Sequence, residues 1–183
     1  MKETEVKFAK VHPNATIPSK REEDMGLDIY ACFDEDYIII YPHETKLIST
    51  GIASACNPDY GFVLRERGST GSKGIALRAG VIDSGYRNEW FIGITNTTDK
   101  WLIISKIDKQ EIIENEATKV NNAWDKFCMS IDIKDSNIYP YTKAIAQALI
   151  IPVPKAQIEE LSYDELKKIE SERGLGKLGS SNK

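Results

Sequence analysis

Short runs of β-branched and aromatic residues, separated by turn-forming residues, recur along most of this 183-residue chain. Runs of this length and spacing are typical of an all-β sandwich or a closed barrel, and not of strands alternating with helices. The run Trp90-Phe-Ile-Gly-Ile-Thr is apolar on both faces, which predicts a strand buried between two layers. The runs span residues 6–11, 37–41, 47–54, 61–65, 90–95, 101–107, 127–133 and 144–153.

The C-terminal part of the chain departs from this pattern. A capping-box sequence, Ser162-Tyr-Asp-Glu165, predicts one short surface helix, with Leu161, Leu166 and Ile169 along one stripe. From Arg173 to Lys183 glycine recurs among small and charged residues, which indicates a mobile arm. We therefore expect a single β domain over residues 1–172 and an arm over residues 173–183.

Residues 96–137 combine strand-like pieces with charged and amide residues, and they carry no recognisable chemistry. This composition predicts an insertion into a β scaffold, and a partner-binding role remains an alternative for it.

Composition excludes several classes of function. The formal net charge of −4 gives no general attraction to nucleic acid, and no segment is apolar over the length of a bilayer. The charged start, Met1-Lys-Glu-Thr-Glu-Val-Lys-Phe, is unlike a signal peptide, so we expect a cytoplasmic protein. Three scattered cysteines and two histidines argue against a disulfide framework and against a zinc site.

The segment Gly80-Val-Ile-Asp-Ser-Gly-Tyr86, which continues to Trp90, has the composition of a β-hairpin with a tight tip. Turn geometry alone explains the Asp-Ser-Gly sequence. The functional alternative is that the main chain meets a flat base, Tyr86 packs on a sugar, and Asp83 activates water.

Two glycine-rich segments have the composition of phosphate sites. The segment that begins Arg65-Glu-Arg67-Gly-Ser offers hydroxyls, accessible amides and cations, but it lacks Walker spacing and is also compatible with a polar turn. The segment that begins at Arg173 satisfies Gly-x-Gly-x-x-Gly, yet too few residues follow it for a dinucleotide-binding fold. It is either a disordered tail or a phosphate-binding arm.

Two polar residues interrupt strand-like patterns. Asp28, in Met25-Gly-Leu-Asp-Ile-Tyr-Ala31, needs a partner if it points inward, and the alternatives are an ion pair or a water-mediated magnesium contact. Gln147, in Ala144-Ile-Ala-Gln147, is compatible with a buried and satisfied amide.

In order and spacing, these five segments resemble the five motifs of the trimeric dUTP pyrophosphatases (dUTPases). The resemblance spans nearly the whole chain, and the Asp83 segment is its most specific part. It implies a jelly-roll-like β subunit, a homotrimer with sites at subunit boundaries, and a C-terminal arm that reaches over a neighbouring site. The implied reaction is hydrolysis of dUTP to dUMP and pyrophosphate with Mg²⁺.

The resemblance also implies a role for each matching residue. Asp83 orients and deprotonates the water that attacks the α-phosphorus, Asp28 holds magnesium through water, and Tyr86 packs on the deoxyribose. Uracil is read by the main chain of residues 80–86. The residues implied to bind substrate are Arg67, Gly68, Ser69, Gly80, Val81, Ile82, Tyr86, Gln147, Arg173, Leu178, Gly179 and Ser180.

Four positions depart from the family pattern. Gly68 stands where serine is usual, Ala144 where a basic residue is usual, Leu178 where a phenylalanine stacks on uracil, and Asn88 where a glycine is usual after Tyr86-Arg87. The long segment at residues 96–137 resembles phage-encoded members and implies a surface for a regulatory protein. Two alternatives stay open: an enzyme related to dCTP deaminases, and a dUTPase-like regulatory binding module without catalysis.

Overall fold

The structure is a computed structural model that describes residues 4–172 and 174–175. Its contacts divide the chain into two units, Met1–Val153 and Pro154–Lys183. The strands are β1 Val6–Lys10, β2 Leu27–Ile29, β3 Tyr37–Ile40, β4 Thr45–Ser49, β5 Ile52–Cys56, β6 Tyr60–Arg65, β7 Ile75–Arg78, β8 Val81–Ile82, β9 Phe91–Asn96, β10 Leu102–Ser105, β11 Asn137–Pro140 and β12 Ala146–Pro152. The helices are α1 Gly68–Gly71, α2 Lys109–Lys119, α3 Ala123–Asp135 and α4 Tyr163–Leu166.

The strands of the first unit form four small sheets. Their orders are β1-β5, β11-β10-β3, β2-β12-β6-β8 and β4-β9-β7. Among the described strands β10 and β11 pair in parallel, and the other pairs are antiparallel. The architecture is an all-β, jelly-roll-like sandwich, which confirms the predicted fold class.

The core lies between these sheets. From Ile92 onward β9 is buried on both faces, as its apolar run predicts. Trp90, which directly precedes it, is fully buried and meets the rings of Phe62 and Phe8 edge-on, with centroids 4.9 Å and 5.6 Å away. Aromatic pairs in this geometry stabilise a core beyond their area of burial.

The insertion at residues 96–137 differs from the sequence prediction. It contains two helices, α2 and α3, so the expected strand at 127–133 is wrong, and the four helices of the described chain exceed the single one expected. Asp108 and Asn122 cap the two helices by accepting the main-chain N–H three residues on. The fully buried Ile112 and Ile133 pack with Ile103 in a second apolar cluster. β-branched residues therefore serve here as the buried face of a helix pair.

The predicted hairpin from Gly80 to Trp90 is also wrong. The strand β8 pairs with β6, whereas β9 pairs with β4 and β7, so the segment passes from one sheet to another. The tight turn itself is present, because the N–H of Tyr86 donates to the carbonyl of Asp83 at 3.1 Å. Gly80 permits the pairing with β6: a Cβ at this position would lie 2.7 Å from the carbonyl oxygen of Leu64.

The second unit contains α4, which confirms the short surface helix. The Ser162 side chain accepts from the N–H of Glu165, as the capping-box sequence predicts, and Leu166 and Ile169 are exposed. Apart from Gly174 and Leu175, the predicted arm at 173–183 lies outside the described residues. Within the described part of the chain, no helix has the length and apolar character needed to span a membrane.

Candidate active site

Three of the five sequence segments meet on the outer face of the β2-β12-β6 sheet. Gln147 on β12 pairs with Asp28 on β2 and with Arg65 on β6. Cross-strand partners share one face of a sheet, and the neighbouring Ala148 points into the core. The register of β12 thus brings the first, second and fourth segments together.

Arg67 is held by Asp28. Its Nε lies 3.0 Å from Oδ1 of Asp28 and its Nη2 lies 3.3 Å from Oδ2, while Nη1 approaches the carbonyl of Ala144 at 3.5 Å. The two side chains are about one-third exposed, at 31% and 33%. The ion pair considered for Asp28 is therefore present. The guanidinium is fixed with N–H groups left over, and the carboxylate keeps lone pairs for water.

Gln147 and Glu66 anchor the loop that carries Arg67. The Gln147 amide Nε2 donates to the carbonyl of Glu66 at 2.8 Å, so the amide is satisfied as expected. The Glu66 carboxylate accepts the N–H of Leu77 at 2.9 Å, and this hydrogen bond holds the pKa of Glu66 below its ordinary value. The loop is thereby tied to both β12 and β7.

A cleft of about 570 Å³ opens beside these residues. Its lining includes Asp28, Arg67, Gly68, Ser69 and Gln147. A fixed guanidinium, a serine hydroxyl and the amides of a glycine-containing turn are donors suited to a phosphate chain. Within the described residues, no three His, Cys, Asp or Glu side chains converge as a metal site would require.

The cleft has a further wall that the sequence analysis missed. It is the loop from Ser19 to Gly26, in which Lys20, Arg21 and Asp24 line the cleft. The signal was the charged run Lys20-Arg-Glu-Glu-Asp24, directly before the first motif. Such a run is more often a solvated surface, so its place on the cleft follows only from the fold.

The Asp83 turn lies elsewhere on the same sheet. Ile82 pairs with Phe62, which pairs with Ile150, so Ile82 is two strands across and three residues along from Gln147. With ordinary strand spacing the two Cα atoms are about 14 Å apart, and Asp83 continues away from the cleft. None of the residues from Gly80 to Tyr86 lines the cleft.

The Asp83 turn is nevertheless well ordered. Nη1 of Arg87 donates to the carbonyls of Tyr86 and of Ser54, at 3.2 Å and 3.3 Å, which fastens the turn to β5. The Tyr86 hydroxyl donates to the carbonyl of Glu89 at 3.1 Å, and its ring is partly exposed. A carboxylate and an aromatic face are thus presented together on a rigid turn.

An apolar strip separates the turn from the cleft. Leu149, Val63 and Val81 form one cross-strand row on the outer face, and Ile151 stands one row further along β12. Val81 is 71% exposed and Ile151 is 36% exposed. Exposed apolar rows of this kind mark contact surfaces.

The remaining predicted site residues, Arg173, Leu178, Gly179 and Ser180, lie outside the described residues. The implied roles of these four residues stay predictions.

Comparisons with known proteins identify the family of this chain. The dUTPase family model matches residues 13–110. A deoxyuridine 5'-triphosphate nucleotidohydrolase from Nautilia profundicola is 30% identical over 182 residues, which cover 97% of this chain and 99% of that protein. One from Leptospira interrogans is 33% identical over 99 residues, covering 52% of this chain and 68% of that protein.

Solved structures show the same fold. A Staphylococcus bacteriophage 80alpha dUTPase with dUPNHPP has a TM-score of 0.68 at 20% identity, covering 98% of this chain and 99% of that one. A mutant dUTPase from phage phi11 of S. aureus, described for the coordination of a structural Mg(II) ion, has a TM-score of 0.59 at 18% identity, covering 86% and 97%. On the family match and the full-length relative, this chain belongs to the dUTPase family.

Proposed function

We propose that this protein is a dUTP diphosphatase, which hydrolyses dUTP to dUMP and pyrophosphate by attack of water at the α-phosphorus. Such an activity limits uracil in DNA and supplies dUMP. The observation that carries the proposal is the convergence of Asp28, Arg67 and Gln147, from three separate motifs, on one cleft. A dCTP deaminase-like chemistry is not favoured, since both the family match and the full-length relative indicate dUTP hydrolysis.

The cleft is the proposed phosphate site. Arg67 donates its remaining N–H groups to the phosphates, together with the Ser69 hydroxyl and the Gly68 amide. Gln147 stands at the inner end of the cleft, next to the α-phosphate. Because the ion pair with Asp28 and the bond from Gln147 to Glu66 fix these groups beforehand, binding requires little reorganisation.

Magnesium fits the donors present. Asp28 is one carboxylate with lone pairs open to water, and Mg²⁺ retains waters and is commonly bound by one or two carboxylates plus substrate phosphates. When bound, the ion offsets phosphate charge and orients the chain for in-line attack. Asp28 would hold the ion through water.

The Asp83 turn is the proposed base- and sugar-binding half of the site. The Asp83 carboxylate orients the attacking water and takes its proton. Tyr86 packs flat on the deoxyribose and leaves no room for a ribose 2′-hydroxyl. The main chain from Gly80 through Val81 and Ile82 accepts from N3–H of uracil and donates to O4, a pattern that cytosine reverses.

We infer that these two halves come from different copies of the chain. Within one chain the turn points away from the cleft, and the exposed apolar strip lies between them. The two halves are different surfaces, so their contact is heterologous, and repeated heterologous contacts form a ring when the rotation between copies closes. We infer a homotrimer in which Val81 and Ile151 contribute to the interface and a neighbour supplies Asp83. The arm with Arg173, Leu178, Gly179 and Ser180 then covers the β- and γ-phosphates.

One assay tests the activity. The purified protein is incubated with Mg²⁺ and dUTP, dCTP, dTTP or UTP, and pyrophosphate and ammonia are measured. We expect pyrophosphate from dUTP alone and no ammonia. Absence of pyrophosphate from dUTP would refute the proposal, and ammonia from dCTP would indicate a deaminase.

A substitution tests the role of Asp83. Asp83→Asn keeps the shape of the side chain but removes the proton acceptor, so turnover should fall by about a hundredfold or more while nucleotide binding persists. If Asp83→Asn turned over dUTP at the wild-type rate, Asp83 would have no catalytic role and would serve only the geometry of the turn.

A second role for the insertion is favoured by one observation. Trp124, Phe127 and Ile131 project at helical spacing from α3, on the side opposite its buried Ile133, and are 71%, 56% and 48% exposed. We infer that this row binds a regulatory protein. A regulatory protein identified from the source cells should bind this protein when both are purified. The double variant Trp124→Ala, Phe127→Ala should abolish that binding. Equal affinity of the regulatory protein for the variant and the wild type would refute this role.

A further inference from the structure

The loop from Ser19 to Gly26 forms the outer wall of the cleft. It starts and ends at the sheet, because Ser19 bridges Asp28 and its carbonyl accepts the N–H of Asp28 at 2.9 Å. Between these ends the loop extends outward to Arg21 and Asp24. Gly26, where the loop returns to the sheet, lies against Gln147, because a Cβ there would be 3.0 Å from the Gln147 side chain, whereas the Arg21 side chain is exposed to solvent at the rim of the cleft.

Lys20 organises this loop and is not available to a ligand. Its ammonium donates to the carbonyls of Arg21, Glu22 and Asp24, at 3.3 Å, 3.2 Å and 2.8 Å. An ammonium group has three donors, and all three are used. The loop therefore has its own internal support.

Arg21 forms an ion pair that a ligand can displace. Its Nη2 donates to Oδ1 of Asp24 at 2.8 Å and its Nε donates to Oδ2 at 2.9 Å. The Arg21 side chain is 87% exposed, and exposed ion pairs are weakly held because water competes for both groups. The two-pronged geometry that binds a carboxylate also fits the oxygens of a phosphate.

We propose that Arg21 is a further substrate-binding residue, which exchanges the Asp24 carboxylate for the distal phosphates of dUTP. The proposal rests on the function proposed above. Arg67 is occupied by Asp28 and is only about one-third exposed, whereas Arg21 stands on the solvent-exposed rim of the cleft, where phosphates farther from the buried end of the site would lie. Asp24 thereby acts as a competing anion that the triphosphate displaces.

The first test measures dUTP turnover and inhibition by dUMP, which has only the proximal phosphate. Arg21→Ala should raise KM for dUTP by about fivefold or more, because a charge-assisted contact with a distal phosphate is lost. The inhibition constant of dUMP should stay within about twofold of the wild-type value, because dUMP has no distal phosphate. Arg21→Lys should recover part of the loss, since it retains charge without the two-pronged geometry. The matched control is Lys100→Ala, which removes another exposed ion pair, with Asp135 in the insertion.

The second test is a double-mutant cycle with Asp24→Asn. Removing the competing carboxylate should lower KM for dUTP in the wild-type background and should have little effect in Arg21→Ala, because no guanidinium remains to be released. An equal effect of Asp24→Asn in both backgrounds would mean that it acts only as a nearby negative charge. That result would overturn the exchange.

The outcomes separate this inference from the proposed function. If wild-type protein releases no pyrophosphate from dUTP, the proposed function fails. If wild type is active and Arg21→Ala has the wild-type KM, or weakens dUMP as much as dUTP, only the role of Arg21 fails. Should Arg21→Ala not fold, Arg21→Lys and Asp24→Asn decide the matter by the same measurements.

Discussion

Two inactive variants of this protein should restore activity to each other when mixed. Arg67→Gln should damage the proposed phosphate half of the site, and Asp83→Asn should damage the proposed water-activating half. An Asp83→Asn chain still has an intact cleft, and an Arg67→Gln chain still has an intact turn. If the halves come from neighbouring chains, one functional site forms where this cleft meets this turn. If one chain formed its own site, every site in the mixture would carry a defect.

The expected size follows from counting boundaries in a ring of three. Every mixed trimer contains one functional site of three, and random 1:1 assembly makes about three quarters of the trimers mixed, so the recovered rate is about a quarter of wild type. Mixed trimers isolated through two different affinity tags should reach about a third, whereas isolated mixed dimers would reach about half.

The assay is pyrophosphate release after the variants are refolded together or co-expressed. Wild type mixed 1:1 with the double variant Arg67→Gln, Asp83→Asn serves as the control for subunit exchange, because its rate should fall to about a quarter of the pure wild-type rate with exchange and only to about half without it. Activity of the variant mixture no greater than the sum of the separate variants, with exchange demonstrated by the tags, would refute the shared site.

Three further predictions concern the fold that supports the site. Ile133→Ala should lower the free energy of unfolding by about 3 kcal/mol in denaturant titrations, because it leaves a cavity in a buried apolar cluster. The control Ile131→Ala, at an exposed position, should change the free energy of unfolding by no more than about 0.5 kcal/mol. Equal losses for the two variants would contradict the orientation of α3. The pKa of Glu66 is lower in the folded protein than its ordinary value of 4.5, so the ionised carboxylate stabilises the fold above pH 4.5, and this stability is lost as the pH falls through the folded pKa. The free energy of unfolding of Glu66→Gln should therefore depend less on pH than that of wild type between about pH 5 and 3. An identical pH dependence would show that the Glu66 carboxylate makes no such contribution. Gly80→Ala should lower the free energy of unfolding by about 1 to 3 kcal/mol in thermal unfolding, because the added Cβ would clash with the carbonyl of Leu64. If the variant were as stable as wild type, the pairing of β6 with β8 would be looser than described.

Local patterns in the sequence predicted much of the fold and the identity of the candidate residues. The apolar run at 90–95 is the buried β9, and the capping box at Ser162 begins α4. Asp28, Arg67 and Gln147 were expected to act together, and they line one cleft. These features are predictable because the periodicity of a strand and the chemistry of a cap are each set by a few neighbouring residues.

The errors have a different physical origin. Residues 127–133 are β-branched enough to suggest a strand, but Met129 and Ile133 lie one turn apart and find their partners in α2 and the β11-β10-β3 sheet. The Gly80 segment has hairpin composition, yet β8 pairs with β6 because strand pairing is chosen by distant residues. Arg21 was missed for the same reason, since only the fold turns a charged run into a cleft wall.

The sheet register explains why the Asp83 motif does not join the first, second and fourth motifs within one chain. Gln147 and Asp83 lie at opposite corners of the outer face of a single sheet, two strands and about four residues apart. A short β8 leaves no chain length with which the turn could fold back over Gln147, and Arg87 fastens the turn to β5. The rigidity that prepares each half therefore also prevents the halves from meeting within one chain. Under the proposed function catalysis therefore requires assembly. The exposed strip from Leu149 to Val81, which separates the halves in one chain, is then the surface that we expect to be buried between chains.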